Sequence, residues 1–174
     1  MTKILLISWS PKKWNTYNAL SYIAEQLAWE KEIILLKDKD IKHCVWCWFC
    51  EKHHACAIQD DMQDIVKKLQ WADTIILWSP NYFANVSWMT KKLIDRLLPM
   101  YHTQALKKKN IFLIMPWSST DSENKKFLLQ WTYWFIEYQN MKLLWAYGLG
   151  TEDTKLIKGK IEKITKQIIE KISE

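Results

Sequence analysis

Four cysteines fall in one short run, Cys44-x2-Cys47-x2-Cys50-x5-Cys56, and the chain has no others. Thiolates are soft metal ligands and redox-active groups. Three cysteines at a spacing of three, with a fourth close by, can wrap a cubane iron–sulfur cluster with one thiolate on each iron. The run differs from the two-cluster ferredoxin pattern, which ends in x3 and a proline. Four thiolates also suit tetrahedral zinc, to which His43, His53 and His54 could contribute, although zinc sites more often pair two Cys-x2-Cys knuckles across a longer gap. Free thiols without a metal are the third reading. A cluster this tight in a cytoplasmic protein points to a metal or redox site more than to structural disulfides.

A second constellation is Ser8-Trp9-Ser10-Pro11-Lys12-Lys13-Trp14-Asn15-Thr16. It joins an apolar strand to a helix. The Ser8, Ser10 and Thr16 hydroxyls, the Asn15 amide and the free N–H groups of the helix start can donate to a phosphate, and Lys12 adds charge. The bland alternative is a polar turn with a helix cap.

The chain holds 12 tryptophans and 3 glycines. Average usage is about 7% glycine, and tight turns need residues that tolerate φ > 0 or close backbone approach. Several tryptophans stand where such residues belong: Trp9 and Trp14 in the first loop, Trp46 and Trp48 inside the cysteine run. Our reading is that most of these positions are glycines, as when UGA codons that a lineage reads as glycine are translated as tryptophan. Arg96 as the single arginine among 25 basic residues fits an AT-rich genome of that kind. The alternative is a genuinely tryptophan-rich protein.

The elements that position these residues alternate. Short apolar runs at Lys3–Ser8, Glu32–Leu36, Asp73–Leu77, Asn110–Met115 and Lys142–Tyr147 read as strands buried on both faces. Between and after them lie helical patterns: Asn15–Trp29; one capped by Asp60 or Asp61 with Met62, Ile65, Val66 and Leu69; one capped by Ser87 with Met89, Leu93, Ile94 and Leu97; Glu123–Tyr138; and a tail from Asp153 with Ile157, Ile161, Ile164 and Ile168. The segment from Lys37 to Gln59 has no clear period. The expectation is one α/β domain over 1–174: a five-stranded parallel sheet with helices on both faces, few topologies being left by right-handed crossovers, and a cysteine-rich loop at 43–59. Ligands of such sheets bind at the carboxyl ends of the strands, here near Trp9, Trp78 and Trp117.

With glycine at positions 9 and 14 the first loop reads S-G-S-P-K-K-G-N-T. That resembles the FMN-phosphate loop of the flavodoxin-like NAD(P)H-dependent FMN reductases and iron–sulfur flavoproteins. The stretch Ser79-Pro80-Asn81-Tyr82-Phe83-Ala84-Asn85-Val86-Ser87 is similar to the flavin-ring loop of the same family, and the cysteine spacing resembles the compact motif of its iron–sulfur members. The resemblance spans about residues 1–150 and implies a flavodoxin-like, doubly wound, five-stranded parallel sheet of order 2-1-3-4-5. It implies that Ser8, Ser10, Asn15 and Thr16, in one loop with Pro11 and Lys12, hold the FMN phosphate. It implies that Pro80, Asn81, Tyr82, Phe83 and Ala84 line the isoalloxazine, and it assigns Trp117 and Ser118 of the third loop to the ring or ribityl. It also implies that Cys44, Cys47, Cys50 and Cys56 hold a [4Fe–4S] cluster. The alternative for Tyr82 and Phe83 is that they are ordinary core aromatics. An indole at Trp9 or Trp78 would sit where backbone should approach the cofactor.

These features imply an NAD(P)H-dependent FMN reductase-like oxidoreductase whose chemistry rests on the flavin, with no acid–base side chain assigned. The leading reading passes electrons between FMN, the cluster and a small-molecule acceptor or redox partner, with a ferredoxin-like donor. The alternatives are an FMN-only flavin or quinone reductase and a zinc-stabilised binding module. A homodimer or homotetramer is implied by resemblance alone. The net charge of +6 comes from scattered lysines such as Lys107-Lys108-Lys109, which read as solvated surface and not as a nucleic-acid patch. No run is long enough to cross a membrane and the apolar start is too short for a signal peptide, so a cytoplasmic location is expected. His102 reads as a surface residue, and Asp95 with Arg96 as a surface or subunit-contact pair.

Overall fold

The computed structural model describes the backbone of residues 2–9, 13–150 and 154–174, and the side chains of all of these except 13–16 and 154–156. Five strands form one parallel sheet: β1 (Lys3–Ser8), β2 (Glu30–Leu35), β3 (Thr74–Trp78), β6 (Asn110–Trp117) and β7 (Lys142–Gly150). Their order is β2-β1-β3-β6-β7, the 2-1-3-4-5 winding of a flavodoxin-like fold. A two-residue-strand hairpin, β4 (Asn81–Tyr82) and β5 (Asn85–Val86), follows β3. The helices are α1 (Lys13–Gln26), α2 (Phe49–His53), α3 (Met62–Trp71), α4 (Trp88–Asp95), α5 (Leu98–Thr103), α6 (Asp121–Tyr138) and α7 (Thr154–Ser173).

Side chains alternate across a strand, and the central strands bury both faces. Leu5, Ile7, Ile75, Leu77, Ile111 and Leu113 point into one core with Ile65, Leu69, Leu93 and Leu128 of α3, α4 and α6. Ile4, Leu6, Ile76, Trp78, Phe112 and Ile114 point into the other with Leu20 and Ile23 of α1 and Ile164 and Ile168 of α7. Trp78 therefore lies in the core and not over the cofactor rim.

Several boundaries differ from the sequence reading. β2 begins two residues earlier than expected, at Glu30, which pairs with Lys3. It is an edge strand, so polar side chains cost little and backbone pairing decides its start. The helix read through Leu97 ends at Asp95, and Pro99 seats the first turn of a separate α5. β6 and β7 both run further than expected. Pro116 and Trp117, assigned to a loop, pair with Leu149 and Gly150. The cysteine segment, read as aperiodic, contains the short α2.

Candidate functional site

Three connections leave the carboxyl edge of the sheet next to one another. At the first, Ser8 is buried and its Oγ has no hydrogen-bond partner among the described residues. Ser10, Pro11 and Lys12 lie outside the described residues, as do the side chains of Asn15 and Thr16, whose backbone belongs to α1. Trp9 donates its N–H to the Trp78 carbonyl at 3.4 Å. Its indole is buried, edge-on to Tyr82 with ring centroids 5.3 Å apart and 5.8 Å from Trp88. The space between the first loop and the hairpin is thus filled by an aromatic ring.

The second connection is the hairpin. Ser79 Oγ accepts the Ser87 N–H at 3.0 Å and closes its base, while Ser87 Oγ caps α4 by accepting the Thr90 N–H at 3.2 Å. Pro80 is half-buried, Asn81 is buried with Oδ1 unpartnered among the described residues, and Tyr82 is half-buried. Burial pushes the Tyr82 hydroxyl above its ordinary value. The turn is Phe83-Ala84 with φ of 52° and 60°. Both central residues of such a two-residue turn take φ > 0, which favours Asn-Gly and strains Phe-Ala. Phe83 is fully solvent-exposed and not a core aromatic, because the turn throws its side chain outward. Trp131 of α6 donates from Nε1 to the Ala84 carbonyl at 2.7 Å and anchors the tip.

The third connection, Ser118–Thr120, is pinned from below. Asn124, buried in α6, donates Nδ2 to the carbonyls of Trp117 and Ser119 at 3.3 and 3.4 Å. Thr120 and Glu123 form a reciprocal capping box. Trp117 and Ser118 are exposed at the rim. Gly150 lies directly beneath: a Cβ there would stand 2.5 Å from the Ser119 carbonyl oxygen.

Cys44, Cys47, Cys50 and Cys56 are free and line one cavity, with Cys47 exposed and the other three half-buried. Burial, and after it the neighbouring cysteines, push the Cys50 thiol up against the opposing effect of a backbone hydrogen bond. Among the described residues, no three His, Cys, Asp or Glu side chains converge tightly enough to hold a single metal ion. Trp46 and Trp48 take φ of 54° and 59°. Left-handed residues in such a loop turn backbone N–H groups inward, an arrangement found around phosphates and iron–sulfur clusters. It is also the conformation that favours glycine.

Arg96 and Asp95 do not form the expected surface pair. Asp95 bonds Lys91 one helical turn back. The Arg96 side chain is fully buried against an equally buried Asp60 carboxylate, donating to Oδ2 at 2.6 Å and Oδ1 at 3.1 Å. It also donates to the carbonyls of Lys42 at 2.8 Å and Ile58 at 3.2 Å. Asp60 in turn accepts the Lys42 and Met62 N–H groups. His102 is half-buried, with its ring 6.2 Å from that of His54.

A groove of about 540 Å³ is lined by Trp46 of the cysteine loop, by Trp131, which holds Ala84, and by Leu98, Tyr101, Trp134 and Tyr138. Sequence reasoning missed this groove, Asn124 and the buried role of Arg96. The last had one available signal, a single arginine in a lysine-rich chain.

A family model for NADPH-dependent FMN reductase matches residues 2–144. The chain belongs to that family. Curated relatives of this FMN reductase family member include an iron–sulfur flavoprotein of Archaeoglobus fulgidus, 45% identical over 97 residues, covering 54% of this chain and 48% of the relative. Another is an iron–sulfur flavoprotein of Methanocaldococcus jannaschii, 43% identical over 103 residues, covering 56% of this chain and 53% of the relative. The chain spans about half the length of these relatives. Among solved structures, a flavone reductase superposes with TM-score 0.72 at 15% identity, covering 97% of this chain and 61% of that one. An azoreductase of Bacillus anthracis superposes with TM-score 0.71 at 12% identity, covering 98% and 100%. Both share its fold. The chain takes the flavodoxin-like fold, and no helix among its described residues is long and apolar enough to cross a membrane.

Proposed function

We propose that this FMN reductase family member is an FMN-dependent redox protein of iron–sulfur flavoprotein type, passing electrons between FMN, a [4Fe–4S] cluster and a small acceptor or redox partner. The observation that carries this reading is the single cavity lined by all four cysteines, on a chain similar to proteins named iron–sulfur flavoproteins. NAD(P)H or a ferredoxin-like protein is the electron source in this reading, and a homodimer or homotetramer in the cytoplasm is its setting.

The chain's own residues fit FMN in part. Ser8 Oγ and Asn81 Oδ1 are buried polar atoms awaiting partners at the carboxyl edge, where such sheets bind ligands. In this reading Ser8, Ser10, Pro11, Lys12, Asn15 and Thr16 hold the phosphate. Pro80, Asn81, Tyr82, Phe83 and Ala84 would flank the ring on the hairpin, and Trp117 and Ser118 would flank the ring or ribityl on the third loop. The Trp9 indole is the misfit, and glycine at position 9 removes it. When bound, FMN exchanges electrons in pairs or singly and the cluster carries one at a time. The protein's part is orientation and exclusion of water: the Ser79–Ser87 closure fixes the hairpin, Trp131 holds its tip, and Asn124 fixes the opposite loop. Cys44, Cys47, Cys50 and Cys56 would supply one thiolate to each iron.

An anaerobic absorbance spectrum of the protein made with glycine at its tryptophan positions tests the reading. The expected result is a flavin band pair on a broad iron–sulfur absorbance that bleaches with dithionite. Flavin bands alone would leave an FMN-only reductase. A colourless protein after FMN has been offered would overturn the flavin reading.

A further inference from the structure

The cysteine loop is closed at its base by a buried charge pair. Arg96 reaches the carbonyl of Lys42, just before Cys44, and that of Ile58, just after Cys56. Asp60 accepts from the Lys42 N–H and, in a two-point contact, from Arg96. Asp61 extends the closure by accepting the Asp40 N–H at 2.8 Å. The guanidinium is 1% exposed as a residue and forms part of the wall of the four-cysteine cavity. Its Nε is buried and has no acceptor among the described residues, although both terminal nitrogens have partners. A buried cation whose Nε–H has no partner among the described residues thus stands on the wall of a cavity lined by four thiols, which as thiolates would carry negative charge.

We propose that Arg96 is the positioning residue of the cysteine site, fastening both ends of the loop through Asp60, Lys42 and Ile58 while its charge and free Nε–H compensate a thiolate-ligated cluster on the cavity side. The proposal rests on the iron–sulfur reading above. Four thiolates leave a cubane net negative, and each electron taken up adds to that charge. A fixed cation and an N–H donor beside the sulfurs favour the reduced form and raise the potential. Cys56 is the thiol concerned, since it lines the same cavity as Arg96 and stands two residues before Ile58, whose carbonyl the guanidinium holds. An arginine suits the task because its planar fork can bind the carboxylate at two points and keep a donor for a further acceptor.

The test compares the wild-type protein with Arg96→Lys and with the double variant Arg96→Gln/Asp60→Asn, in which amides replace both charges and no unpaired charge is buried. Each is reconstituted anaerobically with iron and sulfide, assayed for bound iron and titrated for its cluster potential. Separately, the iron-free proteins are digested with trypsin and cleavage after Lys52 is followed. The expected result is iron in all three, a lower potential in the double variant, a potential near wild type in Arg96→Lys, and faster cleavage at Lys52 in both variants. A double variant with the wild-type potential and cleavage rate overturns the proposal while leaving the cluster reading intact. If the double variant does not fold, Arg96→Lys decides: a potential as in wild type with faster cleavage supports the proposal, and unchanged cleavage overturns it. Wild-type protein that takes up no iron overturns the iron–sulfur reading itself, and the iron assay tells that failure from the others.

Discussion

Trp9 packs edge-on against Tyr82 with ring centroids 5.3 Å apart, so the end of the first strand and the hairpin after the third are joined by an aromatic contact where a ligand-binding crevice belongs. Trp9→Gly is expected to open that crevice. FMN affinity, read by quenching of flavin fluorescence, should rise at least about tenfold, the equivalent of roughly 1.4 kcal/mol. Unchanged affinity would clear Trp9 of blocking the site.

Two tryptophans adopt the backbone of glycine. Trp46 and Trp48 have φ of 54° and 59°, in the left-handed region. Glycine carries no Cβ penalty in that region. Intact mass of the protein isolated from its native cells should therefore fall short of the written sequence by the mass of several indolylmethyl groups. A mass equal to the written sequence would mean the tryptophans are real.

Removing one member of the buried Arg96–Asp60 pair should be costly. Asp60→Asn leaves the guanidinium without its counter-charge and is expected to cost about 3–5 kcal/mol in urea unfolding at neutral pH. The double variant with Arg96→Gln should cost less, because no lone charge stays buried.

The same pair sets an acid limit on stability. Burial pushes the Asp60 carboxyl up, but hydrogen bonds from Arg96, Lys42 and Met62 outweigh it and hold the group below its ordinary 3.8. A carboxyl with a depressed folded value contributes stability that is fully present above the unfolded value and is lost as pH falls through the folded one. Melting temperature should therefore drop as wild-type protein is taken from pH 5 to pH 2, and drop less in Asp60→Asn. Equal slopes would show that Asp60 is not the group responsible.

Ser87 joins the hairpin to α4, the helix that Arg96 caps at its carboxyl end. Its hydroxyl is fully buried and accepts the Thr90 N–H, and its N–H reaches Ser79. Ser87→Ala is expected to cost about 1–2 kcal/mol in urea unfolding through loss of the cap. A loss well under that would mean the helix start is held by its neighbours alone.

Gly148 allows α6 to lie against β7. A Cβ at this position would stand 1.8 Å from the Asp121 carbonyl oxygen and 2.5 Å from the Lys125 nitrogen. Backbone cannot yield as a flexible side chain would, so Gly148→Ala should destabilise by about 3 kcal/mol or more. A thermal melt close to wild type would show that the helix can slide.

Much of this protein was legible before any coordinates. The strand runs and the Ser87 cap follow from local signals, continuous apolar runs of strand length and helical stripes, and one-handed crossovers left few sheet orders from which the family resemblance chose. The cysteine spacing and the two loop motifs are equally local, and they carried the family. The tertiary structure decided the rest. It joined Arg96 to Asp60 across 36 residues of chain, Trp131 to Ala84 across 47, and Trp9 to Tyr82. None of these pairs repeats with any period, and each depends on how separate elements pack on the sheet. Sequence pattern reports which face of an element is apolar. It does not report which buried cation meets which carboxylate, or which ring fills a crevice, because those are set by the three-dimensional contacts that burial of the apolar faces brings about.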